Sequence, residues 1–114
     1  METKIATTVA QYRDLNKILA RDTADMCYPR YNQNNLVGKK PVFDDDCPAW
    51  SLSALLSFIY KEYYLTLFHD GVAWNINVIS HDSNFTNHHY NAQGNTPIDA
   101  CVNIIIRLKE KKLI

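Results

Sequence analysis

The sequence predicts one small α+β domain, in which an N-terminal helix precedes the order α-β-β-β-α and an antiparallel meander packs on helices. Two β-branched or aromatic runs, 63–69 and 72–78, flank Asp70-Gly71, which is a strong hairpin signal. Apolar residues at helical spacing occur on both sides of this hairpin. The 114 residues suffice for one core and leave little room for a second.

The N-terminal half is predicted to hold two helices and a long connection. Thr8 and Gln11 have the spacing of a capping box, and the apolar pattern that follows predicts a helix over 8–21. Residues 22–46 are polar and turn-rich, which predicts either a loop or an edge hairpin built from residues near 26–30 and 41–43. A middle helix is predicted from Cys47-Pro48 to Ile59, and its buried side carries Trp50 or Leu52, with Leu55, Leu56 and Ile59.

The hairpin turn predicts a register. A two-residue type I′ turn at Asp70-Gly71 pairs His69 with Val72. Counting outward, the pairs on one apolar face are Leu67 with Trp74, Leu65 with Ile76, and Tyr63 with Val78. The other face collects Tyr64, Thr66, Phe68, Ala73, Asn75 and Asn77. A third strand is predicted over 85–90, with its register left open.

The closing helix has a clear start signal. Thr96 is a suitable N-cap, Pro97 suits the first helical position, and Asp99 completes a capping-box pattern. Apolar residues recur at helical spacing and predict a stripe that covers the hairpin, namely Ile98, Cys101, Val102, Ile105 and Leu108. The helix, the meander and the middle helix form a predicted core unit over 48–112. The lysines near its end, Lys109, Lys111 and Lys112, are interpreted as stabilising the helix dipole.

Net charge, the length of apolar segments and the number of cysteines indicate which binding partners and which compartment to expect. Twelve basic and twelve acidic residues give a formal net charge of zero, which disfavours a general attraction to nucleic acid or to a membrane surface. No apolar run reaches the length of a signal peptide or of a membrane span, so we expect a cytoplasmic protein. Three cysteines cannot all pair within one chain, which is typical of a reducing compartment; they are Cys27, Cys47 and Cys101.

Several residues invite a catalytic or metal interpretation. Clustered carboxylates at 44–46 suit a hard cation, but a position just before the predicted middle helix favours a role at its positive end. Neighbouring carboxylates are expected to raise the pKa of Cys47 and oppose its use as a nucleophile. Cys101 lies on the apolar stripe, where it is expected to pack as a small hydrophobe.

The histidines and Asp99 are the remaining candidates for a catalytic or metal-binding role. Four histidines fall in or near the predicted sheet: His69, His81, His88 and His89. Extended backbone over 85–90 would point His88 and His89 to opposite faces, which argues against a shared metal ion. Asp99 is interpreted as a helix-start acid rather than a catalytic one. The sequence therefore predicts no catalytic residue, no metal site and no cofactor.

Two resemblances add context. The order α-β-β-β-α is similar to that of double-stranded-RNA-binding domains, but the start of the last helix carries Asp99 where those domains carry lysines. Three blocks carry the second resemblance: Thr23-Ala24-Asp25-Met26-Cys27-Tyr28, Pro48-Ala49-Trp50-Ser51-Leu52-Ser53-Ala54-Leu55-Leu56 and Thr96-Pro97-Ile98-Asp99-Ala100-Cys101, followed by Ile105-Ile106-Arg107-Leu108-Lys109. Together they resemble a family of short proteins of gut Bacteroidetes, their prophages and mobile elements. This resemblance implies an accessory protein of a mobile element in a bacterial cytoplasm and carries no activity, ligand or cofactor.

Aromatic residues beyond the needs of one core favour a binding role. We predict a non-catalytic module that binds another protein through Tyr64, Phe68 and Tyr90, with Tyr28 and Tyr31 also in surplus. Tyr64 and Phe68 alternatively pack under the N-terminal helix. The first alternative function is nucleic-acid binding through the same face, helped by Lys39, Lys40 and the C-terminal lysines. The second is a small metal- or thiol-dependent enzyme that uses 44–46, Cys47 or the histidines. The oligomeric state stays open.

Overall fold

The predicted fold class and element order are confirmed. A computed structural model describes residues 5–80, 89–112 and 114. Within these residues, three α-helices and a short 3-10 turn accompany a two-stranded and a three-stranded antiparallel sheet. The elements in chain order are α1 Val9–Leu15, the 3-10 turn Arg21–Thr23, β1 Met26–Tyr28, β2 Cys47–Ala49, α2 Leu52–Tyr60, β3 Tyr63–His69, β4 Trp74–Ser80, β5 His89–Gly94 and α3 Pro97–Glu110.

Helix α1 begins as predicted and ends earlier. The Thr8 hydroxyl accepts from the Gln11 amide at 3.1 Å, and the Gln11 side chain accepts from the Thr8 amide at 3.0 Å, so the capping box is present. The helix ends at Leu15 rather than near Arg21, because Asn16, a weaker helix former, is the C-cap and Ala20 is extended. One further turn, in which the Leu19 amide donates to the Leu15 carbonyl at 2.8 Å, still brings Leu19 into the core.

The predicted partner of the 26–30 segment is wrong. Strand β1 pairs with β2, with Cys27 opposite Pro48, and not with residues 41–43. The amide and carbonyl of Cys27 instead exchange hydrogen bonds with Val37, at 3.1 and 2.9 Å. Because the Cys27 backbone groups point away from β2, Pro48 can sit opposite them without the loss of a ladder hydrogen bond.

Helix α2 consequently starts at Leu52, five residues later than predicted. Ser51 is its N-cap, and the Ser51 hydroxyl accepts from the Ala54 amide at 3.3 Å. The Asp25 carboxylate fixes this cap, since it accepts from both the amide and the hydroxyl of Ser51. The preceding Trp50 is 1 % exposed, and its Nε1 donates to the Thr23 hydroxyl at 2.9 Å. Side-chain partners distant in sequence therefore set the start of this helix.

The β3–β4 hairpin has the predicted faces in a different register. His69 pairs with Trp74, Leu67 with Ile76 and Leu65 with Val78, so the predicted pairs are wrong by two residues. Residues 70–73 form the loop, in which Asp70 Oδ1 accepts from the amides of Val72 and Ala73 at 2.9 Å each. Gly71 has a φ of 94° whereas Asp70 has a negative φ, so the type I′ turn does not form. A shift of two residues leaves each side chain on its predicted face.

The third strand lies later in the chain than predicted. Strand β5 covers His89–Gly94, and residues 85–88 of the predicted strand lie outside the described part of the chain. Tyr90 pairs with Val78, Ala92 with Ile76 and Gly94 with Trp74. Gly94 leads directly into α3, and an added Cβ at Gly94 would lie 2.4 Å from the backbone nitrogen of Ala100. The tight passage from β5 into α3 therefore requires a glycine at this position.

Helices α2 and α3 cover one face of the three-stranded sheet. The α3 start is confirmed, since the Thr96 hydroxyl accepts from the Asp99 amide at 3.1 Å and Pro97 is the first helical residue. Every residue of the predicted α3 stripe is buried against the sheet and α2. The core residues include Leu55, Ile59, Ile76, Val78, Ile98, Cys101, Val102, Ile105 and Leu108. This packing leaves the opposite sheet face without a covering element among the described residues.

Candidate functional site

Asp46, the last residue of the acidic triplet, organises a loop. The Asp46 carboxylate accepts from the amides of Arg30, Val42 and Phe43 at 2.9, 3.0 and 2.9 Å. These backbone donors lower the pKa of Asp46, the Phe43 amide most, because they stabilise the charged form. The expected role at the start of the middle helix is wrong, because β2 separates Asp46 from α2. The Asp46 carboxylate instead holds the 22–46 segment together by binding backbone amides within that segment.

The three thiols are buried. Burial is the main cause that raises the pKa of Cys27, Cys47 and Cys101, the last to about 12. At Cys47 the nearby Arg21 acts in the opposite direction, so the predicted rise is present but comes from burial rather than from carboxylates. The interpretation of Cys101 as a packed hydrophobe is confirmed.

We expect the native protein to resist alkylation. A thiol whose pKa is raised stays protonated at neutral pH, and the thiolate is the nucleophile. Iodoacetamide at pH 7 should leave native protein unlabelled, whereas all three cysteines should react in urea. Intact-mass spectrometry counts the added groups. Selective labelling of Cys47 in the native protein would contradict this prediction and favour the thiol-enzyme alternative.

The histidines do not assemble into a cluster where they are described. His69 is exposed at the end of β3, where its Nδ1 accepts from the Gly71 amide at 3.0 Å and its ring packs edge-on against Trp74. His89 lies at the start of β5, and His81 and His88 lie outside the described part of the chain. Among the described residues, no three His, Cys, Asp or Glu side chains are placed to hold a metal ion.

The face of the meander that points away from α2 and α3 is the candidate site, and we call it the outer sheet surface. The β-sheet register places nine side chains on it in three rows: Tyr64, Ile79 and His89; Thr66, Asn77 and Asn91; and Phe68, Asn75 and Gln93. None of the nine carries a formal charge with histidine neutral, although 21 % of the chain is charged. The outer sheet surface is therefore a neutral patch of aromatic and amide side chains.

No described element packs on the outer sheet surface. Helices α2 and α3 contact the sheet from its other side, and α1 packs against β2 and α3. Tyr64 is 58 % exposed and Phe68 is 41 % exposed. The alternative in which these aromatics pack under the N-terminal helix is therefore wrong. Large apolar rings that remain accessible are typical of surfaces that bind a partner.

Tyr90 lies on the opposite side of the sheet from Tyr64 and Phe68. It pairs with Val78, whose side chain is buried, and it packs half-buried at the edge of the core. The Lys111 ammonium lies 5.9 Å from the centre of its ring. The predicted binding trio is thus divided, and Tyr64 and Phe68 alone share the outer sheet surface.

Amide side chains supply the polar part of the outer sheet surface. Gln93 Nε2 donates to Asn75 Oδ1 at 2.9 Å, and Asn75 Nδ2 donates to the Ala73 carbonyl at 3.1 Å. The central Asn77 lies between Thr66 and Asn91 in the middle row. Sequence reasoning placed the two β4 asparagines on this face but missed the amides of β5, because that strand was predicted too early in the chain.

The cationic residues lie mostly elsewhere. Lys40 Nζ donates to the Asp22 carbonyl at 3.0 Å in the loop region, and the C-terminal lysines lie in the last turn of α3 or just after it, and α3 packs on the covered side of the sheet. Arg107 of α3 reaches a depression that it shares with Thr66, Asn77 and Asn91 at the β5 side. A single arginine at the rim provides fewer cations than binding to a phosphate backbone requires.

Comparisons with known protein families, curated proteins and solved structures find no match. No helix in the described part of the chain has the length and apolar character needed to cross a bilayer.

Proposed function

We propose that this protein is a non-catalytic docking module that binds another protein through the outer sheet surface. The observation that carries the proposal is the absence of charge on nine neighbouring side chains of an accessible sheet face. The solvated face of an antiparallel sheet is normally polar, whereas the centres of protein interfaces are depleted in charge and enriched in tyrosine and phenylalanine. Tyr64 and Phe68 supply rigid apolar contacts, and the amides supply directional hydrogen bonds.

The same observation separates protein binding from nucleic-acid binding. Binding to nucleic acid depends on cations that contact phosphates, and these contacts supply most of the sequence-independent affinity. The outer sheet surface has Arg107 at one edge, and the lysines invoked for that alternative lie away from it. The aromatic rings alone would provide stacking without charge neutralisation. A neutral protein surface is the better match.

The proposed setting comes from the family resemblance. An accessory protein of a bacterial mobile element or prophage acts in the cytoplasm on host or element proteins, and a small module without a catalytic group can regulate such a protein by occupying a surface. The partner we propose presents an uncharged patch with exposed backbone or amide groups. Such a patch can contact Asn77, Asn91 and the neighbouring rings without leaving a buried charge unpaired.

Charge insertion into the surface tests the proposal. Asn77→Glu places a carboxylate at the centre of the outer sheet surface, and we expect it to weaken partner binding roughly a hundredfold, because an unpaired charge in an interface is costly. Asn35→Glu adds the same charge on an exposed loop residue and should leave binding unchanged. Partners are first captured from a Bacteroidetes lysate with nuclease present, and binding of both variants is then measured by calorimetry with the purified partner.

Each outcome decides between the alternatives. A protein that binds the native chain and the Asn35→Glu variant but not the Asn77→Glu variant supports docking through this surface. A partner that binds Asn77→Glu with native affinity contradicts it. Capture that disappears with nuclease, together with affinity that falls steeply as salt is added, would replace the proposal with the nucleic-acid alternative.

A further inference from the structure

Strand β3 has an open edge. The sheet order is β3-β4-β5, so β3 pairs with β4 on one side and with no described strand on the other. The Asp70 amide donates to the Ala73 carbonyl, which makes that pair a hydrogen-bonded one. Because hydrogen-bonded and non-hydrogen-bonded pairs alternate, the backbone groups of Leu65 and Leu67 point away from β4. An edge of this kind is a template for another strand.

The sequence of β3 is close to a palindrome about Thr66. Leu65 and Leu67 flank the threonine, Tyr64 and Phe68 flank the leucines, and the ring-bearing Tyr63 and His69 complete the strand. When two identical strands pair antiparallel about a two-fold axis, the sequence of one copy lies opposite the reversed sequence of the other. A palindromic strand is therefore complementary to itself, whereas β4 and β5 lack this symmetry.

The strand also lacks the features by which proteins protect an edge. Residues 63–69 contain no proline, no lysine and no acidic residue. Beside the strand, helix α2 is free of charged residues, and a shallow groove between the two elements is lined by Leu56, Ser57, Tyr60, Lys61 and Leu65. Within the strip itself, α2 and β3 carry no formal charge with histidine neutral, and Lys61 lies at its end.

We propose that two copies of this chain associate through their β3 edges, about a two-fold axis that passes between the two Thr66 residues. In this register Leu65 of each copy pairs with Leu67 of the other, and these two pairs form about four backbone hydrogen bonds. Tyr64 lies opposite Phe68 of the other copy as a cross-strand aromatic pair. The two α2 helices then lie on the same side of the joint, next to one another.

The size of the contact fits a weak specific dimer. Strand β3 is about 23 Å long and α2 is about 14 Å long, so the strip buries about 500 Å² on each copy. The total is near the lower limit for specific interfaces, which predicts a dissociation constant in the micromolar range. A two-fold axis perpendicular to the sheet would also put both outer sheet surfaces on one side. If the proposed function holds, the dimer therefore binds its partner bivalently.

Cysteine cross-linking tests the register. The native cysteines are all buried, so a thiol at position 66 is accessible while they are not. Thr66→Cys places two thiols on residues whose Cα atoms are about 4.5 Å apart in the dimer, which a disulfide can span. Tyr64→Cys is the control, because its two copies would be about 13 Å apart. Under diamide, we expect Thr66→Cys to form covalent dimer at least about tenfold faster than Tyr64→Cys. Equal rates would overturn the register.

Charge insertion on α2 tests association without changing the outer sheet surface. Ser57 is exposed in the groove, and Ser57→Glu should raise the dimer dissociation constant at least about tenfold, because it opposes two carboxylates near the axis. Ala10→Glu on α1 adds the same charge at an exposed helical position away from β3 and should leave it unchanged. Sedimentation equilibrium measures both variants. A native chain that stays monomeric throughout the micromolar range would overturn the proposal.

Different results would contradict the proposed dimer and the proposed docking function. Asn77→Glu should dimerise like the native chain and bind the partner more weakly, whereas Ser57→Glu should dimerise more weakly and keep an intact outer sheet surface. Loss of partner binding in Asn77→Glu with a monomeric native chain would contradict the dimer alone. A native dimer whose partner still binds Asn77→Glu would contradict the docking surface alone.

Discussion

Trp50→Ala is expected to lower the free energy of unfolding by about 3–5 kcal/mol, the usual range for removal of a large buried aromatic side chain. Trp50 is 1 % exposed, and its indole joins the 3-10 turn to the core through the hydrogen bond to Thr23. Its backbone also exchanges hydrogen bonds with Thr7, at 3.0 Å in both directions. The substitution leaves a cavity where the N-terminal segment, β2 and α2 meet.

Trp74→Ala is the matched control for this prediction. Trp74 is a half-buried residue at the loop end of the hairpin, where it packs against His69 and lies opposite Gly94. Removal of its side chain should cost about 1–2 kcal/mol, because partly exposed side chains contribute less transfer energy and leave no closed cavity. Urea unfolding followed by circular dichroism measures both variants. Equal losses would contradict the deeper burial of Trp50.

Gly94→Ala is expected to lower the free energy of unfolding by about 2–3 kcal/mol, as overpacking against backbone does. The new Cβ would lie 2.4 Å from the backbone nitrogen of Ala100 and 2.6 Å from the backbone carbon of Asp99. Both atoms belong to the first turns of α3, so the clash cannot be relieved by a side-chain rotation. Helix α3 must shift away from β5, and its buried stripe would lose contact with the sheet.

Gly38→Ala provides the comparison for Gly94→Ala. An added Cβ at Gly38 has no heavy atom within 4 Å, and this substitution should change stability by less than about 0.5 kcal/mol. The same urea titration distinguishes the two variants. If Gly94→Ala were as stable as Gly38→Ala, the close passage of β5 against α3 would be incorrect.

Local signals predicted the parts of the fold that local interactions form. The Thr8 and Gln11 capping box and the Thr96-Pro97 start of α3 depend on residues within one helical turn, and both are present. The sequence does not predict strand β2, because Cys47–Ala49 pairs with a segment about twenty residues earlier and no local pattern specifies that partner. The early end of α1, by contrast, coincides with a local feature, since Asn16 is a weaker helix former and is the C-cap.

The outer sheet surface could be predicted in part, despite a wrong register. Asp70-Gly71 is a signal for a two-residue turn, but the Asp70 carboxylate binds two loop amides and holds a loop two residues longer. Because strand side chains alternate, a two-residue error leaves Tyr64 and Phe68 on the correct face. The face of Tyr90 depends on the register of the third strand, which the sequence leaves open, so the sequence alone does not separate Tyr90 from Tyr64 and Phe68.

Docking through the outer sheet surface is tested most directly by hydroxyl-radical footprinting of the protein with and without its captured partner, read out by mass spectrometry. We expect oxidation of Tyr64 and Phe68 to fall when the partner binds, since both rings are accessible in the described structure. Tyr31, an exposed ring in the loop region at 78 % exposure, is the internal control and should react equally in both samples. Unchanged oxidation of Tyr64 and Phe68 in a sample saturated with partner would contradict docking through the outer sheet surface.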